Sequence, residues 1–87
     1  MTVVWTDPAL DQLADIYVQR PLPEQRALAQ TVERINRELE DDPSSYGESR
    51  EGNVRVWFTG PLVVTYRLEP GGAVRVGRVA PNRPAGR

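Results

Sequence analysis

The chain has no cysteine, no histidine and no lysine. Without cysteine there can be no disulfide, no thiolate metal site and no cysteine nucleophile. Without histidine there is no Ser-His-Asp arrangement, no imidazole metal ligand and no imidazole general base. No apolar run approaches the roughly 18 residues of a membrane span, and Met1-Thr2-Val3-Val4-Trp5 lacks the basic start and apolar core of a signal peptide. A phosphate-binding glycine loop is missing as well, because Gly71-Gly72 sits where a hairpin turns and not between a strand and a helix. These absences suit a cytoplasmic protein with no membrane role, no metal and no cofactor.

What is present is unevenly spread. Ten acidic residues and four arginines lie between Met1 and Glu48, and seven arginines and two glutamates between Ser49 and Arg87. The halves therefore carry about −6 and +5, hidden under a net charge of −1. All 11 basic residues are arginine, the side chain that grips carboxylate and phosphate bidentately. At 87 residues the chain can bury about 60–65% of its unfolded surface, enough for one modest core.

Periodicity divides the chain into elements. Val3-Val4-Trp5 reads as a short strand, and Thr6-Asp7-Pro8 as a cap with a proline in the first helical turn. Leu10, Leu13, Ala14 and Tyr17 recur at helical spacing, with Asp11 and Asp15 off that stripe, which predicts a helix ending near Arg20. Pro21-Leu22-Pro23 breaks the chain. A second, long helix then carries Leu28, Val32, Ile35 and Leu39 until Asp41-Asp42-Pro43 stops it. The short connection predicts an antiparallel helical hairpin.

From Pro43 to Gly52 the chain is polar and turn-rich and reads as a surface loop. Beyond it the period becomes two. Val54, Val56 and Phe58 alternate with Arg55 and Trp57; Leu62, Val64, Tyr66 and Leu68 alternate with Val63, Thr65 and Arg67. Thr59-Gly60-Pro61 joins these strands, Glu69-Pro70-Gly71-Gly72 supplies the next turn, and Val74 and Val76 belong to a last strand in which Gly77 marks a bulge. The expectation is an α+β domain, β-α-α-β-β-β, with the helical hairpin packed on an antiparallel sheet. It occupies residues 1–80 and is followed by a frayed proline-rich tail, 81–87.

Strand parity assigns faces. If Val54, Val56 and Phe58 point inward with Leu62, Val64, Tyr66, Leu68, Val74 and Val76, the outer face presents Arg55, Trp57, Val63, Thr65, Arg67 and Arg75. Arg50, Arg78 and Arg83 lie nearby in the sequence. Guanidinium groups beside an indole suit a phosphodiester and a stacked base, so Arg50, Arg55, Trp57, Arg67, Arg75 and Arg83 form a candidate nucleic-acid-binding set. The same residues would equally serve as an ordinary solvated sheet face. Ser44, Ser45 and Ser49 show no base beside them in the sequence. Tyr66 has core parity, and Tyr46 suits loop packing.

Taken in order, Asp7-Pro8-Ala9-Leu10, the hairpin closing on Asp42-Pro43, Gly47-Glu48-Ser49-Arg50, Val54-Arg55-Val56 and Val63-Val64-Thr65-Tyr66-Arg67 resemble the RelE/ParE family of type II toxin-antitoxin toxins, which includes plasmid-stabilisation proteins. The resemblance covers nearly the whole chain. It implies a toxin that inhibits growth by cleaving mRNA at the ribosome or by poisoning DNA gyrase, neutralised by a cognate antitoxin. In the cleaving branch it implies catalytic roles for Arg55 and Arg83, with Arg50 as a looser match. The chain departs from that branch at Trp57 and Val63, where basic residues are expected, and its tail Pro84-Ala85-Gly86-Arg87 lacks the expected tyrosine or histidine, so no proton relay is visible. The alternative is a toxin-fold protein without activity that serves as a protein-protein interaction module, offering Leu10, Leu13 and Tyr17 to a partner helix.

Overall fold

The computed structural model describes residues 2–82. Strand β1 (Val3–Trp5) leads into helices α1 (Asp7–Val18) and α2 (Leu22–Asp41). A single 3₁₀ turn (Pro43–Ser45) follows, then strands β2 (Glu48–Ser49), β3 (Val54–Thr59), β4 (Leu62–Leu68) and β5 (Val74–Pro81). The five strands form one sheet in the order β1-β5-β4-β3-β2. β2 to β5 run antiparallel, and β1 joins the far edge parallel to β5. Within the expected loop, Glu48 and Ser49 thus pair with Val56 and Arg55 as a short strand. The sheet also extends past the expected domain boundary: Pro81 pairs with Leu62, and the Asn82 amide donates to the Pro61 carbonyl at 2.9 Å.

Both helices cover one face of the sheet. Ala9 and Ile16 from α1 and Leu28, Ile35 and Leu39 from α2 are buried against Leu62, Val64, Tyr66, Val74, Val76 and Val79. Among the described residues no helix is long and apolar enough to cross a membrane.

Local chemistry explains how these elements begin and lock together. The Thr6 hydroxyl accepts from the Ala9 amide at 3.2 Å and caps α1, with Pro8 in the first turn, where its missing N–H costs nothing. Gln25 donates from Nε2 at 3.0 Å to the Tyr17 carbonyl, which also accepts from the Arg20 amide at 3.2 Å at the end of α1. Trp5 donates its indole N–H to Asn36 Oδ1 at 2.7 Å, tying β1 to α2. Opposite Thr65/Tyr66 the β5 register slips, with Arg78 facing Thr65 and Val76 facing Tyr66, so Gly77 is the extra residue of a bulge, as expected. Nearby, Gln12 Oε1 of α1 accepts from the Val79 amide at 2.8 Å.

Two expectations about faces are corrected. In α1, Ala9 and Ile16 are the buried residues and Leu13 is half-buried, whereas Leu10, Ala14 and Tyr17 lie on the exposed side. The helix has apolar residues enough for two overlapping stripes, and the alanine at position 9 is small enough to let it sit close on β5.

In β3 the parity is reversed. Thr59 pairs with Leu62, Trp57 with Val64 and Arg55 with Tyr66, so these three share the inner face with the core. Val54, Val56 and Phe58 face outward, and Phe58 is 55% exposed. The cause is the turn. Only Gly60 and Pro61 separate the paired residues, with Gly60 at φ 56°, and a two-residue turn aligns position 59 with 62 where a three-residue turn would align 58 with 62.

These placements predict opposite costs for two neighbouring truncations in α1. Ile16→Ala should destabilise the fold by about 2–4 kcal/mol, and Leu10→Ala should stay within about 0.5 kcal/mol. Urea unfolding of both variants measures the difference.

Candidate functional site

The residues singled out in the sequence divide into three places. At one end of the sheet, Arg55 reaches inward to the segment that joins α2 to β2. Its Nε donates to the Tyr46 carbonyl at 2.7 Å, Nη2 to the Gly47 carbonyl at 3.1 Å and Nη1 to Ser49 Oγ at 3.2 Å. Three of its five N–H groups are thereby committed to holding this segment. The Tyr66 hydroxyl, on the partner residue of Arg55 across the sheet, lies 2.7 Å from the Pro43 carbonyl and 2.8 Å from that of Tyr46 and shares its one hydrogen between them. Trp57 is half-buried against the core and meets the Tyr46 ring at a centroid distance of 4.7 Å, tilted by 31°.

The segment itself is shaped for this clasp. Asp42 accepts from the Ser45 and Ser44 hydroxyls, the latter at 3.0 Å, and these bonds, Ser45 first, hold its carboxyl below the ordinary carboxylate value. Asp42 is thus the partner of both serines, a base that the sequence did not reveal. It is solvent-exposed and stabilised as the anion, which makes it a poor proton acceptor. Gly47 turns at φ 71°, and a Cβ there would stand 2.7 Å from the Val56 carbonyl oxygen. Only glycine meets both demands.

Burial pushes the Tyr66 phenol above its ordinary value, with the positive charge of Arg55 opposing the shift in part. The Tyr46 phenol is raised too, by desolvation first and then by the acidic end of α2 at Glu38, Asp41 and Asp42. Neither tyrosine is poised to transfer a proton near neutral pH.

The second place is the outer face of the sheet. Arg67 and Arg75 are exposed and stand directly opposite each other on β4 and β5, and Arg75 Nε reaches Glu69 Oε1 at 2.9 Å. Arg55 and Trp57 are not with them, so the expected single arginine-and-indole face does not exist. Arg50, exposed before β3, donates its amide to the Val54 carbonyl at 2.8 Å and pairs with Glu48 at 3.2 Å. Arg83, expected beside Arg55 in catalysis, lies outside the described residues. What sequence reasoning missed on the outer face is Val54, Val56 and Phe58. The signal that could have found them is the pairing of Thr59 with Leu62 across Gly60-Pro61.

The third place is on α1. Leu10, Leu13, Ala14, Tyr17 and Val18 line a shallow, open, largely apolar hollow, and Leu22 at the start of α2 is exposed as well. These are the residues expected to meet a partner helix, together with two neighbours. Leu10, Ala14, Tyr17 and Val18 are exposed, and Leu13 is half-buried against the core.

Two variants probe the clasp. Gly47→Ala should cost at least about 2 kcal/mol of stability in urea unfolding, combining an unfavourable left-handed backbone with the contact to Val56. Tyr66 contributes a pH dependence with a definite sign. In the unfolded chain its phenol ionises near its usual value of about 10, while the folded state holds the proton, so its contribution is complete below pH 10 and fades as pH rises through the folded value. Stability measured from pH 8 to 11 should therefore fall more steeply in the parent than in Tyr66→Phe, which itself should cost about 1–2 kcal/mol at neutral pH.

Comparison with known proteins agrees with this fold. Residues 3–84 match the family described as ParE toxin of type II toxin-antitoxin system, parDE. Among solved structures, the chromosomal ParDE TA system from P. aeruginosa is similar at a TM-score of 0.74 and 23% identity, covering 95% of this chain and 97% of that one. The toxin-antitoxin complex RelBE2 from Mycobacterium tuberculosis is similar at a TM-score of 0.69 and 25% identity, covering 93% of this chain and 90% of that one. Among curated proteins none matches.

Proposed function

The chain belongs to the ParE toxin family of type II toxin-antitoxin systems, and we propose that it stops growth by binding and poisoning DNA gyrase, neutralised by a cognate antitoxin that covers the apolar side of α1. The observation that carries this reading over ribosome-dependent mRNA cleavage is the orientation of Arg55. A cleaving site must gather cationic groups around one phosphate and move protons on both sides of it. Here Arg55 is spent on the Tyr46, Gly47 and Ser49 segment, Arg67 and Arg75 lie on the opposite face, and Arg50 is paired with Glu48. Trp57 and Val63 occupy positions where the cleaving branch has basic residues, and desolvation raises the Tyr66 and Tyr46 phenols, which weakens both as proton donors. An arrangement of this kind suits binding better than bond breaking.

The antitoxin part of the reading is supported by the apolar hollow that Leu10, Leu13, Ala14, Tyr17 and Val18 line, which suits the apolar face of an amphipathic helix. The family match and both similar structures, a ParDE system and a RelBE2 toxin-antitoxin complex, point the same way. Gyrase works in the cytoplasm, so this reading places the chain there as well.

The test expresses the chain with and without the antitoxin encoded beside it, then assays the purified proteins. The expected result is growth arrest by the chain alone, inhibited supercoiling by gyrase, intact mRNA on translating ribosomes, and reversal of the arrest by the antitoxin. Cleaved ribosomal mRNA with unaffected gyrase would sink the gyrase reading. Unimpaired growth together with antitoxin capture would favour the interaction module. Changing Leu10 and Tyr17 together to Glu should weaken antitoxin capture by at least about tenfold in a titration.

A further inference from the structure

The outer face of the sheet has no use in the fold. Both helices pack on the inner face; on the outer one Phe58, Arg67, Arg75 and Arg78 are exposed and Val54, Val56, Val63 and Thr65 half-buried. Across it, Phe58 stands opposite Val63, Val56 opposite Thr65, and Val54 opposite Arg67. The rows continue onto β5, where Arg78 faces Thr65 and Arg75 faces Arg67, and onto β1, where the exposed Val4 faces Arg75. One flank is therefore apolar, with Phe58 more than half exposed, and the other is cationic.

Two features of this face oppose stability and so call for another explanation. Like charges directly opposite on neighbouring strands are unfavourable, and Arg67 faces Arg75. Glu69 relieves only Arg75; among the described residues no carboxylate lies within ion-pair distance of Arg67 or Arg78. An exposed phenylalanine beside valines likewise leaves apolar surface in water. Between the two arginines lies a hollow lined also by Val54, Thr65 and Gly77. The bulge places Gly77 there with open space where a side chain would be, so a carboxylate can approach both guanidinium groups.

Resting on the gyrase reading above, we propose that this outer face is the surface that meets the target protein, and that it takes a patch on that partner with apolar side chains on one flank and carboxylates on the other. Its chemistry favours a protein over a nucleic acid. A phosphodiester backbone brings charge but no apolar surface to cover Phe58, Val56 and Val63, and one phenylalanine among valines offers no series of rings for successive bases. Aromatic and arginine side chains placed together are what strong protein-protein contacts use. The face also lies on the opposite layer from the α1 hollow, so the target surface and the antitoxin strip are separate.

The experiment uses the full chain and the variants Phe58→Ser, Arg67→Glu and Arg67→Lys, each checked for wild-type thermal unfolding. Inhibition of gyrase supercoiling is titrated, antitoxin capture is measured in parallel, and a 20-base-pair duplex is titrated without gyrase. The expected result is a tenfold or greater loss of inhibition for Phe58→Ser and Arg67→Glu, a smaller loss for Arg67→Lys, and undiminished antitoxin capture by all three. A parent chain that inhibits gyrase while the variants inhibit equally well would overturn the surface assignment alone. Loss of antitoxin capture in the same variants would reassign the face to the antitoxin, and duplex binding that depends on Arg67 would reassign it to nucleic acid; either overturns the proposal. A parent chain without effect on gyrase would remove the functional reading and this proposal together.

Discussion

The turn between β3 and β4 contains two residues, Gly60 and Pro61, and that number decides which side of the molecule every β3 side chain occupies. Because successive strand residues alternate between faces, one residue more or less in a hairpin exchanges the faces of a whole strand. With two, Arg55, Trp57 and Thr59 turn toward the helices, and Val54, Val56 and Phe58 toward solvent. Inward arginine at the end of a core is costly unless its donors find acceptors. The carbonyls of Tyr46 and Gly47 and the Ser49 hydroxyl supply them. Thr59 is satisfied in turn by an N–H from Arg34 of α2, which links the turn to the helix layer. The clasp between Arg55, Tyr66 and the segment after α2 is therefore a consequence of the turn, and so is the apolar flank on the outer sheet.

That consequence shapes function. A ParE-family chain with its strand arginine turned outward would gather Arg55, Arg67 and Arg75 on one face and present a plausible phosphate site. In this chain Arg55 anchors structure, leaving a mixed apolar and cationic face of the kind that proteins recognise. The helix layer carries a separate apolar hollow lined by Leu10, Leu13, Ala14, Tyr17 and Val18. On the proposed reading, in which the sheet face meets the target and α1 the antitoxin, two separate surfaces would allow each contact to be tuned without the other.

Much of the fold was legible in the sequence. The helices, their proline boundaries, the Leu28-Ile35-Leu39 core stripe, the strands and the Gly77 bulge follow from local preferences that tertiary packing did not need to override. The α1 phase was less legible, because seven apolar residues between Ala9 and Val18 support more than one stripe. The short β2 was hidden because two residues carry no period. The expected grouping was legible only in part: Leu10 and Tyr17 are exposed and Leu13 half-buried on one helix, while Arg55 lies on the opposite sheet face from Arg67 and Arg75.

By itself the sequence determined the class of fold, the family, the charge division and the exclusion of cysteine and histidine chemistry, since each of these depends on residue type and local order. Which face each β3 residue occupies was left to the tertiary structure. In β3 both alternating sets are acceptable inside, Val54-Val56-Phe58 as plain hydrophobes and Arg55-Trp57-Thr59 once Arg34 and the Tyr46 and Gly47 carbonyls are brought to meet them. Those partners come from 8 to 25 positions away in the chain, so only folding could reveal that the second set was the satisfied one.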